Sequence, residues 1–304
     1  MQKISRLLLL PVLLFALGQQ LHAQIKVEMG YERRLFVLYE PIPVTVTITN
    51  LTGHELELQD SGADKWFSFQ VTTGETNGDA RVIPPLDVDY KIPGLRIPAG
   101  ATVKRTVDLS RMYSVQDPGI YRLRASVYSQ EAQKYFSSGK DELEVSEGKT
   151  FWEQTVGVPQ TANERGDHRT FSLMTFRQPK YNVLYVRVQD KDSNTIYTTA
   201  ALGPLIAEME PDYKLDKNNT LHVLQLVGPR VFLYSRVSLD GVCDQLNYYS
   251  VNTRPVLRKD PQGEVIVFGG TLNSPDNPAP SKNGPKVSDR PPGFTSTDGT
   301  PAPH

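Results

Sequence analysis

From Gln24 onward, apolar and polar residues alternate in short runs with a period of two, and helical spacing is nowhere sustained. Ile42, Val44, Val46 and Ile48 alternate with Pro43, Thr45, Thr47 and Thr49, which predicts a strand with one apolar face. Asn50 to Gly53 is a turn. Leu56 and Leu58 continue the pattern, followed by Phe67, Phe69 and Val71, with Trp66 opening that strand. Pro84, Pro85, Pro93, Gly94, Pro98 and Gly100 punctuate a looser region, and Val103, Val107 and Leu109 give a further strand. Pro118 and Gly119 then make a turn, after which Tyr121, Leu123, Ala125 and Val127 point one way. Ile120, Arg122, Arg124, Ser126 and Tyr128 point the other. Leu143 and Val145 close the unit. About seven strands in about 120 residues, with turns every 8 to 12, predict a two-sheet antiparallel sandwich.

The stretch around Asp117 to Leu123 adds a specific feature. A Tyr two residues after a Pro-Gly turn, with Leu109 and Met112 upstream, resembles the tyrosine corner of immunoglobulin-like sandwiches. Together with Glu40 to Asn50, Trp66 to Phe69 and Ile97 to Gly100, it is similar to the immunoglobulin-like modules of bacterial exported proteins. Some small proteinase inhibitors use modules of that type. The resemblance implies an immunoglobulin-like β-sandwich over residues 24–147, with Gly119 and Tyr121 as its structural corner. The chain lacks the cysteine pair of antibody domains and shows no recognisable reactive loop.

Residues 148–169 read as a linker, polar after Val156-Gly157-Val158-Pro159 and containing the tripeptide Arg165-Gly166-Asp167 in a solvated turn. Residues 170–272 carry a repeat. A shift of 37 residues lays Leu184, Val186, Tyr197 and Leu202 onto Leu221, Val223, Tyr234 and Leu239. A shift of 44 lays Pro211, Asp216, Leu221 and Val223 onto Pro255, Asp260, Val265 and Val267, with Asn219 on Gly263. A Pro, a turn with Asp and Gly or Asn, and two short strands resemble the blades of β-propeller proteins. Blades of about 40 residues allow at most three here, so the expectation is an incomplete propeller-like array or an open meander of repeated β-hairpins. The Ser/Thr-rich Asp box of sialidase-like blades is missing, so no glycosidase activity comes with the resemblance.

The two ends differ from the rest. Lys3 and Arg6 precede an apolar run from Leu7 to Leu17, and Gly18 to Ala23 follow, the pattern of a signal peptide over residues 1–23 cleaved after Ala23. That run falls short of the roughly 18 to 20 residues a spanning helix needs, and no other stretch is long enough. No Cys follows the leader to accept a lipid. Residues 273–304 hold eight prolines and three glycines. Ordering them costs about 1 to 2 kcal/mol per residue against only Val287 and Phe294 to bury, so a disordered tail is expected.

Charge and chemistry narrow the function classes. With Lys3 and Arg6 removed the chain carries a net charge of about −3, which favours neither nucleic acid nor an anionic membrane surface. Cys243 is the single cysteine, so no intramolecular disulfide forms, and no His or cation beside it in sequence marks it as a nucleophile. His54, His168 and His222 are widely separated. Asp190, Asp192 and Asn194 imitate the start of a calcium loop but lack its later ligand, Ala201 standing at the twelfth position, and read as a hairpin turn. No catalytic, cofactor-binding or metal-binding residue is assigned. Trp66, Trp152, Tyr248 and Tyr249 are the candidate contact aromatics, since rings supply large contact area at low entropy cost. Trp152, beside Phe151, falls at the domain junction. The expected protein is an exported, non-catalytic binding or structural protein of the cell envelope, contacting an unknown envelope or extracellular protein or polymer. A hydrolase or its accessory subunit, and a proteinase inhibitor acting through a sandwich loop, are the alternatives.

Overall fold

The computed structural model describes residues 25–62, 64–74, 80–86, 91–159, 167–206, 209–249 and 253–272. The expected leader, Arg165 and Gly166 of the tripeptide, and the tail 273–304 lie outside the described residues. In chain order the first half forms β1 (Ile25–Gly30), β2 (Leu35–Val37), β3 (Pro43–Asn50), β4 (Leu56–Leu58), β5 (Phe67–Thr73) and β6 (Arg81–Ile83). β7 (Leu95–Ile97), β8 (Thr102–Asp108), β9 (Gly119–Ser129), β10 (Lys134–Ser137) and β11 (Asp141–Ser146) follow. One sheet has the order β1-β3-β8, the other β2-β11-β9-β5-β6 with β10 beside β9, and β4 pairs β7 separately. The β2–β11 pair is parallel, a departure from the expected all-antiparallel pairing. It arises because the chain crosses from one sheet to the other between β1 and β2, so β2 enters the second sheet at its edge.

Both sheets bury the same continuous core, which includes Phe36, Ile42, Ile48, Leu109 and Trp66. β9 is its spine. Tyr121, Leu123, Ala125 and Val127 are buried and the residues between them are half-buried, as the alternation predicts. Gly119 opens β9 at φ 154°, a conformation side chains avoid, and the Tyr121 hydroxyl then donates to the Asp117 carbonyl at 2.7 Å. Burial pushes the Tyr121 phenol above its ordinary pKa. Tyr121→Phe is expected to destabilise the protein by about 1 kcal/mol, read as a lower urea midpoint. An unchanged midpoint would show that the hydroxyl does not hold the turn.

The second half forms β12 (Lys149–Gly157), β13 (His168–Arg177), β14 (Asn182–Asp190), β15 (Ile196–Leu205), β16 (Asp212–Leu215) and β17 (Leu221–Gly228). β18 (Val231–Val237), β19 (Cys243–Tyr249), β20 (Val256–Lys259), β21 (Val265–Phe268) and β22 (Thr271–Leu272) complete it. Residues 149–157, expected in a linker, are instead the edge strand of the sheet β12-β13-β14-β15. Being at an edge and mostly exposed, β12 needs few apolar residues, and its polar composition reads as a connection.

Three cores separate successive layers. Leu35 and Val37 of the first half meet Met174, Phe176, Val183 and Tyr185 on one face of the β12–β15 sheet. Its other face, with Phe171, Leu173, Leu184 and Val186, packs on Leu221, Val223 and Val237 of the sheet β16-β17-β18-β19-β22. That sheet's far face, with Leu224, Phe232 and Tyr234, is covered by Leu257 and Val265 of the β20–β21 hairpin. The small sheets thus follow one another in a propeller-like arrangement.

The repeats resolve into hairpins. In the 44-residue repeat, Asp216 accepts from the backbone N–H groups of Asn218 and Thr220, and Asp260 likewise from Gln262 and Glu264. Asn219 and Gly263 occupy the same left-handed position, φ 61° and 86°, which explains why one aligns with the other. The 37-residue repeat lays the β14–β15 hairpin on the β17–β18 hairpin. These occupy different places in their sheets, so its unit is a hairpin and not a blade.

Candidate binding cleft beside the seam of the two halves

The segment after β1 carries the polar contacts that join the halves. Tyr39 takes a left-handed φ of 68° in the tight turn after β2, and the following residue, Glu40, is only 3% exposed. The Glu40 carboxylate accepts from Arg33 through both guanidinium nitrogens, at 2.8 and 2.7 Å, and from the Val37 N–H at 2.5 Å. Arg33 also donates to the Tyr185 hydroxyl at 3.0 Å across the junction. Burial pulls the Arg33 guanidinium down, but Glu40 more than reverses this and holds it above its usual range. Burial, reinforced by Glu40, pushes the Tyr185 phenol up to about 12.

A second cation bridges the same seam. Arg187 donates to the Leu38 carbonyl at 2.7 Å and to Thr199 Oγ1 at 3.1 Å, with the Tyr39 ring 5.1 Å from its carbon. Burial lowers its pKa. Gln178 Nε2 donates to the Leu35 carbonyl at 3.2 Å. The halves are therefore fixed by charge-assisted bonds around a small apolar core, which makes the surfaces beside the seam well defined.

Beside the seam, a cleft runs around the ends of β12, β13 and β14. On one side, an open space of about 430 Å³ is bordered by Leu35, Glu144 and Glu147 against Phe176, Arg177 and Asn182. On the other, a second space of about 430 Å³ lies among Phe151, Leu205, Met209, Pro211 and Tyr213. Lys149 and Thr175 stand between the two and line both. A third, of about 360 Å³, borders the β13–β14 turn at Lys180 and Tyr181 and shares Arg177, Asn182 and Leu205. Phe151 and Tyr181, 42% and 54% exposed, offer rings to solvent, and Arg177 and Lys149 offer charge. An apolar patch at Phe151, Leu205, Met209 and Pro211, flanked by the charged and polar groups of the other two spaces, can hold an extended chain by its side chains.

The aromatic residues singled out in the sequence lie elsewhere. Trp66 is fully buried, its Nε1 donating to the Ile92 carbonyl at 2.9 Å, although it borders a separate 280 Å³ pocket with Pro85, Met112 and Tyr113. Trp152 packs on Tyr213, ring centroids 5.0 Å apart, at the margin of the core between the β12–β15 and β16–β22 sheets. Its place is thus inside the second half. Tyr248 packs edge-on against Tyr234, and Tyr249 follows it in register with Val231. The residues that line the cleft were missed, and Phe151, noted only as the neighbour of Trp152, is the sole signal that pointed there. Gly119 and Tyr121 sit in the first half as described.

Other chemically capable groups are used internally. Asp190 accepts from the N–H groups of Ser193 and Asp192 and pairs with Arg169 at 2.7 Å, which is a hairpin turn, and these contacts hold its carboxyl below the usual range. Burial, with Asp244 beside it, pushes the Cys243 thiol up. His222 is buried, with Nδ1 2.6 Å from the Tyr234 hydroxyl and Nε2 3.1 Å from Asp216. The β20–β21 hairpin covers that face of the sheet, so the triad is sealed. Among the described residues no group of His, Cys, Asp and Glu is arranged to hold a metal ion, and no helix is long and apolar enough to cross a membrane.

By fold this is an all-β protein of successive small sheets, with a cleft at one end of the β12–β15 sheet that borders the first half on one side. Comparison with protein-family models finds no match, and comparison with curated proteins finds none either.

Proposed function

We propose that this chain is an exported, non-catalytic binding or structural protein of the cell envelope, whose cleft at one end of the β12–β15 sheet, beside the seam, engages an extended segment of an envelope or extracellular protein or polymer. The first half, read as an immunoglobulin-like sandwich with a tyrosine corner at Gly119 and Tyr121, is the rigid platform. The observation that carries the reading is the cleft itself: exposed Phe151 and Tyr181, an apolar floor at Leu205 and Met209, and Arg177 and Lys149 on the rim. Export rests on the leader pattern of residues 1–23, and the mature chain starts at Gln24.

The test is a pull-down from the parent organism's exported fraction, with the mature chain, the chain lacking residues 273–304, and the double variant Phe151→Ala, Arg177→Glu. Both substituted residues are exposed, so the fold is retained. Stoichiometric capture by the mature chain that falls at least about tenfold in the double variant supports the cleft. Equal capture by both moves the contact elsewhere, and loss on tail removal moves it to residues 273–304. Mass spectrometry of the purified protein must also place the N-terminus at Gln24; an intact leader would overturn export.

A further inference from the structure

We propose that the free edge of β12 pairs with β12 of a second copy of this chain, joining their two sheets into one. β12 is outermost in its sheet. The Val158 N–H donates to the Asp167 carbonyl at 2.8 Å, and this fixes the alternation along the strand. Val156, Gln154 and Trp152 face Arg169, Phe171 and Leu173 as bonded pairs, so Glu153, Thr155 and Gly157 turn their backbone groups outward. The Gly157 carbonyl accepts from Asn219 Nδ2 at 3.0 Å, which closes one end of the edge. A bulge between Thr150 and Trp152 closes the other. Among the described residues, what is left open is short and centred on Gln154.

The residues of this window suit a copy of themselves. A two-fold axis at Gln154 brings the outward N–H and C=O groups of Glu153 against those of Thr155 of the second copy, and the reverse. Trp152 then stands opposite Val156 of the second copy, an aromatic and β-branched pair that stabilises antiparallel sheets. Both are half-buried at the core margin, and pairing completes their cover. No like charges face each other directly. Centring on Glu153 instead would oppose two carboxylates, which disfavours that register. Other long edges are blocked: β8 carries Lys104 and Arg105, and β15 carries Gly203 and Pro204.

The register makes the test specific. Gln154 is exposed and, on the axis, faces its own counterpart as a non-bonded pair with Cα atoms about 4.5 Å apart, close enough for a disulfide. In a Cys243→Ala background, mild oxidation of full-length Gln154→Cys is expected to yield a covalent dimer at least roughly tenfold faster than Thr150→Cys. Light scattering of the unmodified chain should show a mass rising with concentration toward the dimer. Thr155→Pro, which removes an outward N–H and leaves the backbone bonds to β13 in place, losing only the Thr155–Thr170 hydroxyl contact, should stay monomeric. A constant monomer mass with equal crosslinking of both cysteine variants overturns the proposal. So does a dimer that persists in Thr155→Pro without crosslinking through position 154. Should Thr155→Pro fail to fold, the crosslinking ratio alone decides.

Discussion

Glu40→Ala is expected to lower the stability of the whole chain by about 3 kcal/mol, the typical loss when one partner of a buried charge pair is removed. The Glu40 side chain is 3% exposed and Arg33 is 33% exposed, so Arg33 recovers some hydration while the rest of the loss stands. The substitution also strips the buried Val37 N–H of its acceptor and releases the left-handed turn at Tyr39. Arg33 no longer has a fixed position from which to donate to Tyr185, so the seam loosens along with the turn. The double variant Arg33→Ala, Glu40→Ala should cost clearly less than the sum of the single variants, because no unpaired cation is then left behind. Urea denaturation of the four proteins measures this. Additive losses would show that the pair does not act as a unit, and the rigid seam assumed for the cleft would lose its main support.

The first half was legible in sequence because each of its sheets buries one face. Val44, Val46 and Ile48 inward and Thr45, Thr47 and Thr49 outward is the direct trace of that geometry. In the second half the same signal fades, since the middle strands are covered on both sides. Phe171 and Leu173 face one core while Met174 and Phe176 face another, so β13 reads as a run and not as an alternation. At the edge the opposite happens, and β12 is polar enough to be taken for a linker. Tyr197 and Tyr234, matched by the 37-residue repeat, have opposite fates: Tyr197 is 41% exposed with Arg169 stacked on it, and Tyr234 is buried against His222. A hairpin repeat carries the turn and the strand register. It does not carry the environment, which depends on the layer each hairpin falls in.

The cleft was illegible for a related reason. Its walls come from β2, β11, the starts and ends of β12 to β15, and the stretch before β16, so no local pattern marks it. Rings chosen for size were drawn into cores, as Trp66 was, because a large apolar surface is most often buried. Glu40 had a place in the sequence reading only as the first residue of a strand-like stretch. Its role depends on Arg33, seven residues back, and on Tyr185 in the other half.

Replacing Asp216 should separate a structural cap from a buried charge. Burial raises its pKa, but the N–H groups of Thr220 and Asn218 and the ring of His222 outweigh it and hold the carboxyl below the usual value of about 3.9. A group whose folded-state pKa is depressed stabilises the protein above its unfolded value, and that stability is lost as the pH falls through the folded one. Asp216→Ala loses all three bonds and leaves His222 Nε2 without a partner in a sealed site, for an expected loss of about 3 kcal/mol at pH 7. Asp216→Asn keeps an oxygen for the two backbone donors, and its amide can donate to His222 if the ring protonates at Nδ1 toward Tyr234. That variant should lose only about 1 kcal/mol at pH 7. Its gap from the unmodified protein should close across the acidic range below the ordinary carboxylate value of about 3.9, as the native carboxylate takes up its proton. Urea midpoints at several pH values in that range give the answer. Parallel curves would mean that the Asp216 charge contributes nothing beyond its hydrogen bonds, and that the buried triad is held by shape and by the turn alone.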